Sequence, residues 1–96
     1  MALSLSPLAI QDIESIGDYI ADDNPGRAVS FMKELHLQCQ QIGETPTLYR
    51  QRPELGETIR CCPYGRYLIL FSEQQNNVRI QRVLHSARDV PQLSLD

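Results

Sequence analysis

Long apolar runs are missing from this sequence. The longest, Tyr67-Leu68-Ile69-Leu70-Phe71, falls far short of the ~20 residues that a membrane-spanning helix needs. Met1-Ala2-Leu3-Ser4-Leu5-Ser6-Pro7 lacks the basic stretch that opens a secretory leader, so the expectation is a chain that neither spans a membrane nor is exported. Cysteine is sparse: there are 3, and Cys61 and Cys62 are adjacent. That pattern suits neither a disulfide framework nor the spaced pairs of a zinc site. Unpaired thiols in a reducing cytoplasm are expected, with no metal and no cofactor. Internal repeats and low-complexity tracts are lacking too.

Lysine is nearly absent. Lys33 stands alone among 9 basic residues, and the other eight are arginine, whose planar fork grips carboxylate or phosphate bidentately. With 96 residues, 42% hydrophobic and 22% charged, the chain forms one domain over 1–96. Its radius of gyration should be roughly 12–13 Å. A deep enclosed pocket would displace most of such a core, so function is expected at the surface. The net charge of -3 hides an asymmetry: residues 1–48 carry two basic and seven acidic side chains, residues 49–96 seven and five. The net negative charge disfavours indiscriminate nucleic-acid binding, while the arginine-rich second half suits an acidic partner.

Residues 2–6 alternate as a short strand. Ser6-Pro7 then opens a helix, because serine caps and proline lacks the N–H that would be orphaned there. Ile10, Ile13, Ile16 and Ile20 recur at helical spacing to about Asp22. Asn24-Pro25 repeats the start signal for a second helix carrying Ala28, Phe31, Met32, Leu35, Cys39 and Ile42, ending near Gly43. A connection this short predicts an antiparallel hairpin. Leu37 falls off the apolar stripe, and His36 sits at its border. Residues 43–57 read as a long loop, of the kind that often carries function. Strands follow over Thr58–Cys62, Arg66–Ser72 and Val78 to about His85, with turns at Pro63-Tyr64-Gly65 and Glu73–Asn77. The expected class is α+β: a short N-terminal strand and a helical hairpin packed on an antiparallel sheet of three to four strands.

The middle strand is apolar on both faces, with Tyr67, Ile69 and Phe71 on one and Leu68 and Leu70 on the other. Two helices cover one face only. The second needs cover from the tail Val90–Asp96, a second copy or a partner, and the partner is favoured because only Leu93 and Leu95 are available in the tail. Arg60, Arg66 and Arg82 lie on three consecutive strands and could converge into a cationic surface; the alternative is solvated ion pairs with Glu57, Glu73 or Asp89. Regular alternation sets Arg82 beside Val78, Ile80 and Leu84, which a charge tolerates only if it is paired or re-aimed by a bulge. His85 is expected to brace the turn Ser86–Asp89, and Arg88-Asp89 to pair internally.

Five pieces occur in order: Leu5-Ser6-Pro7, Tyr19-Ile20-Ala21-Asp22-Asp23-Asn24-Pro25, Arg52-Pro53-Glu54-Leu55-Gly56, Gly65-Arg66-Tyr67, and Arg82-Val83-Leu84-His85-Ser86-Ala87-Arg88-Asp89. Together they closely resemble the ParE branch of the RelE/ParE superfamily of bacterial type II toxin–antitoxin modules. The resemblance implies a helical hairpin on an antiparallel sheet and a ParD-like antitoxin whose C-terminal segment wraps and neutralises the toxin in a hetero-oligomer. ParE-like members poison DNA gyrase; RelE-like members cleave messenger RNA on the ribosome. Metal-free RNA cleavage needs a base, an acid and cations on the developing phosphorane. His85, Arg60, Arg66, Arg82, Arg88, Tyr64 and Tyr67 could supply these. The tail after Asp89, however, has neither the tyrosine nor the lysine of the RelE pattern, and the ending His85-Ser86-Ala87-Arg88-Asp89 is the ParE one. The expected function is gyrase inhibition without catalytic residues, with ribosome-dependent ribonuclease as the alternative. Arg60, Arg66, Leu68, Leu70, Arg82, His85 and Arg88 are the candidate contacts to target or antitoxin.

Overall fold

Capping chemistry places both helices. A computed structural model describes residues 2–87. Strand β1 (Ala2–Leu5) leads into helix α1 (Pro7–Asp23), where the Ser6 hydroxyl accepts from the Ala9 N–H at 3.0 Å. Helix α2 (Pro25–Glu44) is capped the same way by Asn24, which accepts from the Arg27 N–H. Each proline fills a first-turn position whose N–H would otherwise go unbonded. One 3-10 turn (Pro46–Leu48) follows, then β2 (Arg50–Gln51), β3 (Ile59–Tyr64), β4 (Tyr67–Gln74) and β5 (Asn77–His85).

The sheet order is β1-β5-β4-β3-β2. Five strands replace the three to four expected. The extra one, β2, is a two-residue strand inside what reads as loop, too short to show a period, and it pairs antiparallel with β3. β1 joins the other edge parallel to β5, a pairing that needs a long connection rather than a hairpin, here supplied by everything between them. Tight turns join β3 to β4 at Gly65-Arg66 and β4 to β5 at Gln75-Asn76, where Gly65, Gln75 and Asn76 all hold positive φ. At Gln75-Asn76 positive φ at both turn residues matches the twist of the flanking strands, and at Gly65-Arg66 the first residue alone has it.

Two apolar clusters lie on opposite faces of the sheet. Under the helices, Ile69, Phe71, Val78, Ile80 and Val83 pack with Phe31, Leu35, Cys39 and Ile42. Complete burial of such side chains contributes about 1.5–3 kcal/mol each. On the other face Ile59, Cys61, Leu68, Leu70 and Leu84 form a second cluster, with Leu55 of the β2–β3 loop packed against it. The doubly apolar character of β4 is therefore real. Gly43 of α2 faces Leu3 of β1, where a Cβ would make an ordinary contact at 3.6 Å.

Candidate functional site: arginines on two sheet faces

A β-bulge resolves the conflict posed by Arg82. Register runs Phe71↔Ile80 and then Leu70↔Arg82, so Gln81 is the extra residue. Val78, Ile80 and Val83 consequently face the helices, and Leu84 joins the opposite cluster. Arg82 is also paired: its Nε and Nη2 donate to the two Asp12 carboxylate oxygens at 2.7 and 3.0 Å, and the Val83 N–H donates to Asp12 Oδ2 at 3.1 Å. Both partners are largely buried, with 23% and 15% of their side-chain surface exposed. Ser6 adds a bond from its hydroxyl to the Gln81 carbonyl at 2.7 Å. The bulge is thus the point where α1 is fastened to the sheet.

Arg60 lies opposite Phe71, on the helix side. Its Nη1 donates to the Tyr49 carbonyl at 2.8 Å, which ties the connection after α2 to β3. Tyr49 packs edge-on against Phe71 at 5.6 Å, and Gln38 Nε2 bonds both the Tyr49 hydroxyl and the Cys62 sulfur. Burial pushes the Cys39 thiol up to about 11, with neighbouring Cys62 adding to the shift, so the thiol stays protonated and inert. All three cysteines are free. Much of the long connection is therefore architecture.

At the end of the sheet holding the β3–β4 turn, aromatic rings bridge strands and α2. Phe31 meets Tyr64 at 5.9 Å and Tyr67 at 5.5 Å, and Tyr67 meets the His85 ring edge-on at 5.6 Å. The Tyr64 hydroxyl donates to Glu34, whose other carboxylate oxygen accepts from Arg27. The Arg27 hydrogen bond holds the Glu34 carboxyl below the usual carboxylate range, and burial raises the Tyr64 phenol. Arg66 sits exposed in the turn, where its carbonyl accepts from the N–H and hydroxyl of Ser86.

The three arginines singled out by strand position do not share one surface. Arg60 is tied to the helix side, Arg82 to Asp12, and Arg66 extends from a turn. Leu68 and Leu70 are buried, at 9% and 0% exposed. Arg88 and the tail lie outside the described residues. Arg50 and Arg79 were passed over by sequence reasoning. Register sets Arg50 beside Cys61, and Arg79 beside Ser72 in the row of Ile59, so both belong to the face away from the helices. Both are exposed and make no ion pair among the described residues. Arg52 adds a third guanidinium there, donating to the Cys61 sulfur at 3.7 Å and pairing with Glu54 at 3.0 Å. Alternation with Val78 and Ile80 was the signal that could have found Arg79; the two-residue β2 offers none for Arg50.

The sequence model described as "ParE toxin of type II toxin-antitoxin system, parDE" matches residues 3–90. The chain belongs to the ParE toxin family. No curated protein matches it. Among solved structures, "Chromosomal ParDE TA system from P. aeruginosa" superposes with a TM-score of 0.78 at 17% identity, covering 88% of this chain and 95% of that one. At that identity the likeness speaks for the ParE fold, with its helical hairpin on a mostly antiparallel sheet. Among the described residues no helix is long and apolar enough to cross a membrane.

Proposed function

We propose that this ParE-family chain is a cytoplasmic toxin that inhibits DNA gyrase by binding it, without turning over a substrate, and that a ParD-like antitoxin holds it inactive. Family membership over residues 3–90 carries the reading. The geometry supports its non-enzymatic part. Arg60 and Arg82, two of the cations a ribonuclease would aim at a phosphorane, are occupied by the Tyr49 carbonyl and the Asp12 carboxylate, and Tyr64 is bonded to Glu34. A site that stabilises transition-state charge needs its donors free to meet that charge.

The test is a supercoiling assay with purified gyrase and antitoxin-free chain. Loss of supercoiling or accumulation of cleaved DNA is expected. Normal supercoiling by a folded sample removes the gyrase reading, and cleavage of ribosome-bound messenger by that sample would replace it with the ribonuclease one.

A further inference from the structure

Charge is divided between the two layers of this molecule. The helices carry five acidic residues on α1 and two on α2, against Arg27 and Lys33. The sheet face turned away from them is the reverse. Register sets Arg50 beside Cys61, and Arg52 continues that ladder, its N–H donating to the Ile59 carbonyl at 2.8 Å. Ile59, Ser72 and Arg79 follow in one row across β3, β4 and β5. Side chains alternate between faces along a strand, so the outward positions are those in step with the second apolar cluster. They include Arg50, Arg52 and Arg79 and no aspartate or glutamate; Glu73 lies opposite Val78, on the helix side. Arg52 pairs with Glu54 of the following loop, while Arg50 and Arg79 are exposed and make no ion pair among the described residues. Three strand spacings separate Arg52 from Arg79 by about 14 Å, and Arg50 stands about 7 Å from Arg52 along the chain.

What this face shows to solvent separates two kinds of acidic partner. A protein docks by burying an apolar centre inside a polar rim, and here the apolar centre is already enclosed, with Leu70 at 0%, Cys61 at 4% and Leu84 at 4% exposed. Guanidinium and amide groups are left at the surface, Arg50 and Arg79 together with Gln74. A polar, cationic surface of this kind suits a nucleic-acid backbone. Each guanidinium can grip one phosphate bidentately. The spacing of Arg79 from the Arg50–Arg52 side is close to the ~12 Å width of the DNA major groove, so the two sides can meet the phosphate rows that border one groove. The net charge of -3 does not oppose this approach, because the acidic layer lies behind the sheet. We infer that the sheet face away from the helices binds the sugar–phosphate backbone of duplex DNA through Arg50, Arg52 and Arg79, without reading its sequence. The inference rests on the gyrase reading only for the source of that duplex.

The test is fluorescence anisotropy of a labelled DNA duplex titrated with the full chain free of antitoxin. In about 50 mM salt the parent chain should bind a duplex of mixed sequence, and a scrambled duplex within about twofold of it. The double variant Arg50→Ala, Arg79→Ala should bind at least about tenfold more weakly, and the slope of log affinity against log salt should flatten by about 1.8, the loss of two phosphate contacts. Lys33→Ala, on the acidic layer, should change neither quantity. The same samples enter the supercoiling assay. A parent chain that inhibits gyrase yet leaves the free duplex unbound overturns the inference and leaves the gyrase reading standing. Binding that the double variant retains in full overturns it as well. Displacement of the labelled duplex by polyglutamate as readily as by unlabelled duplex overturns it in favour of an acidic protein, and tighter binding of an RNA duplex overturns it in favour of RNA. Duplex binding lost in the double variant, with supercoiling left normal by the parent chain, removes the gyrase reading and keeps the DNA-binding face.

Discussion

The two faces of the sheet use the same residue type for opposite purposes. Toward the helices, Arg60 and Arg82 are spent on a backbone carbonyl and a carboxylate, and both hold connections in place. On the other face Arg50 and Arg79 are exposed without ion pairs among the described residues, around an apolar cluster on which Leu55 packs. Guanidinium count therefore says little about a binding surface in this fold. What matters is which guanidiniums the interior has already claimed, and that is fixed by register. The contrast is sharpest in packing. Phe71→Ala, on the helix side with 0% exposure, should cost about 3–5 kcal/mol, and Leu84→Ala, on the other face, about 2–3 kcal/mol. Urea unfolding measures both. Equal or reversed losses would mean that the outer cluster is as tightly enclosed as the core.

The Asp12–Arg82 latch comes next in size. Removing one member of a largely buried pair leaves the other uncompensated. Asp12→Ala also orphans the Val83 N–H, so it should cost about 3 kcal/mol against about 2 kcal/mol for Arg82→Ala. Midpoints of chemical denaturation give the order. If Arg82→Ala proves the costlier, the bulge rather than the carboxylate holds α1.

Local signals made most of the fold legible. Ser6-Pro7 and Asn24-Pro25 mark the helix starts seen at Pro7 and Pro25, and Leu37, off the apolar stripe, is 57% exposed. The parity conflict at Arg82 identified a residue needing a bulge or a partner, and it has both. What stayed hidden depends on pairing between distant segments. The parallel seat of β1 beside β5, the two-residue β2, and Asp12 as the partner of Arg82 join residues up to seventy-five positions apart, and no periodicity in one segment encodes the register of another. The candidate site suffered most from this. Arg60 faces the helices because β3 pairs as Arg60↔Phe71, and Arg50 becomes a surface cation only because β2 exists.

The buried thiols test the helix-side core from another direction. Cys39 is raised from 9.0 to about 11, and Cys62 is raised by burial as well. In the unfolded chain these thiols ionise at lower pH than in the folded one. The stability they contribute is complete below pH 9 and declines as pH climbs from 9 toward 11, by at most about 1.4 kcal/mol per pH unit and group. Unfolding at stepped pH should show that decline, and Cys39→Ser should flatten it. A thiol reagent at pH 8 should label none of the three cysteines rapidly in the folded chain and all of them in urea. Rapid labelling of Cys61 alone would show that the face away from the helices opens more readily than the core.

The smallest effect on stability belongs to the exposed arginines, and it is the one that assigns the outer face. Arg50→Ala and Arg79→Ala remove side chains with no ion pair to lose, so each should shift unfolding by less than about 0.5 kcal/mol. Their charge acts at a distance instead. If this face meets an acidic surface of gyrase or antitoxin, the double variant should slow association, and the difference from the parent chain should fade as salt rises, because exposed charges attract a partner mainly during approach. Arg60→Ala gives the opposite signature: losing its bond to the Tyr49 carbonyl should lower stability by about 1–2 kcal/mol with little change in the salt dependence of association. An association rate unaffected by the Arg50 and Arg79 replacements at low salt would leave the outer arginines as solvated surface toward both proteins and return the search for contacts to Arg66.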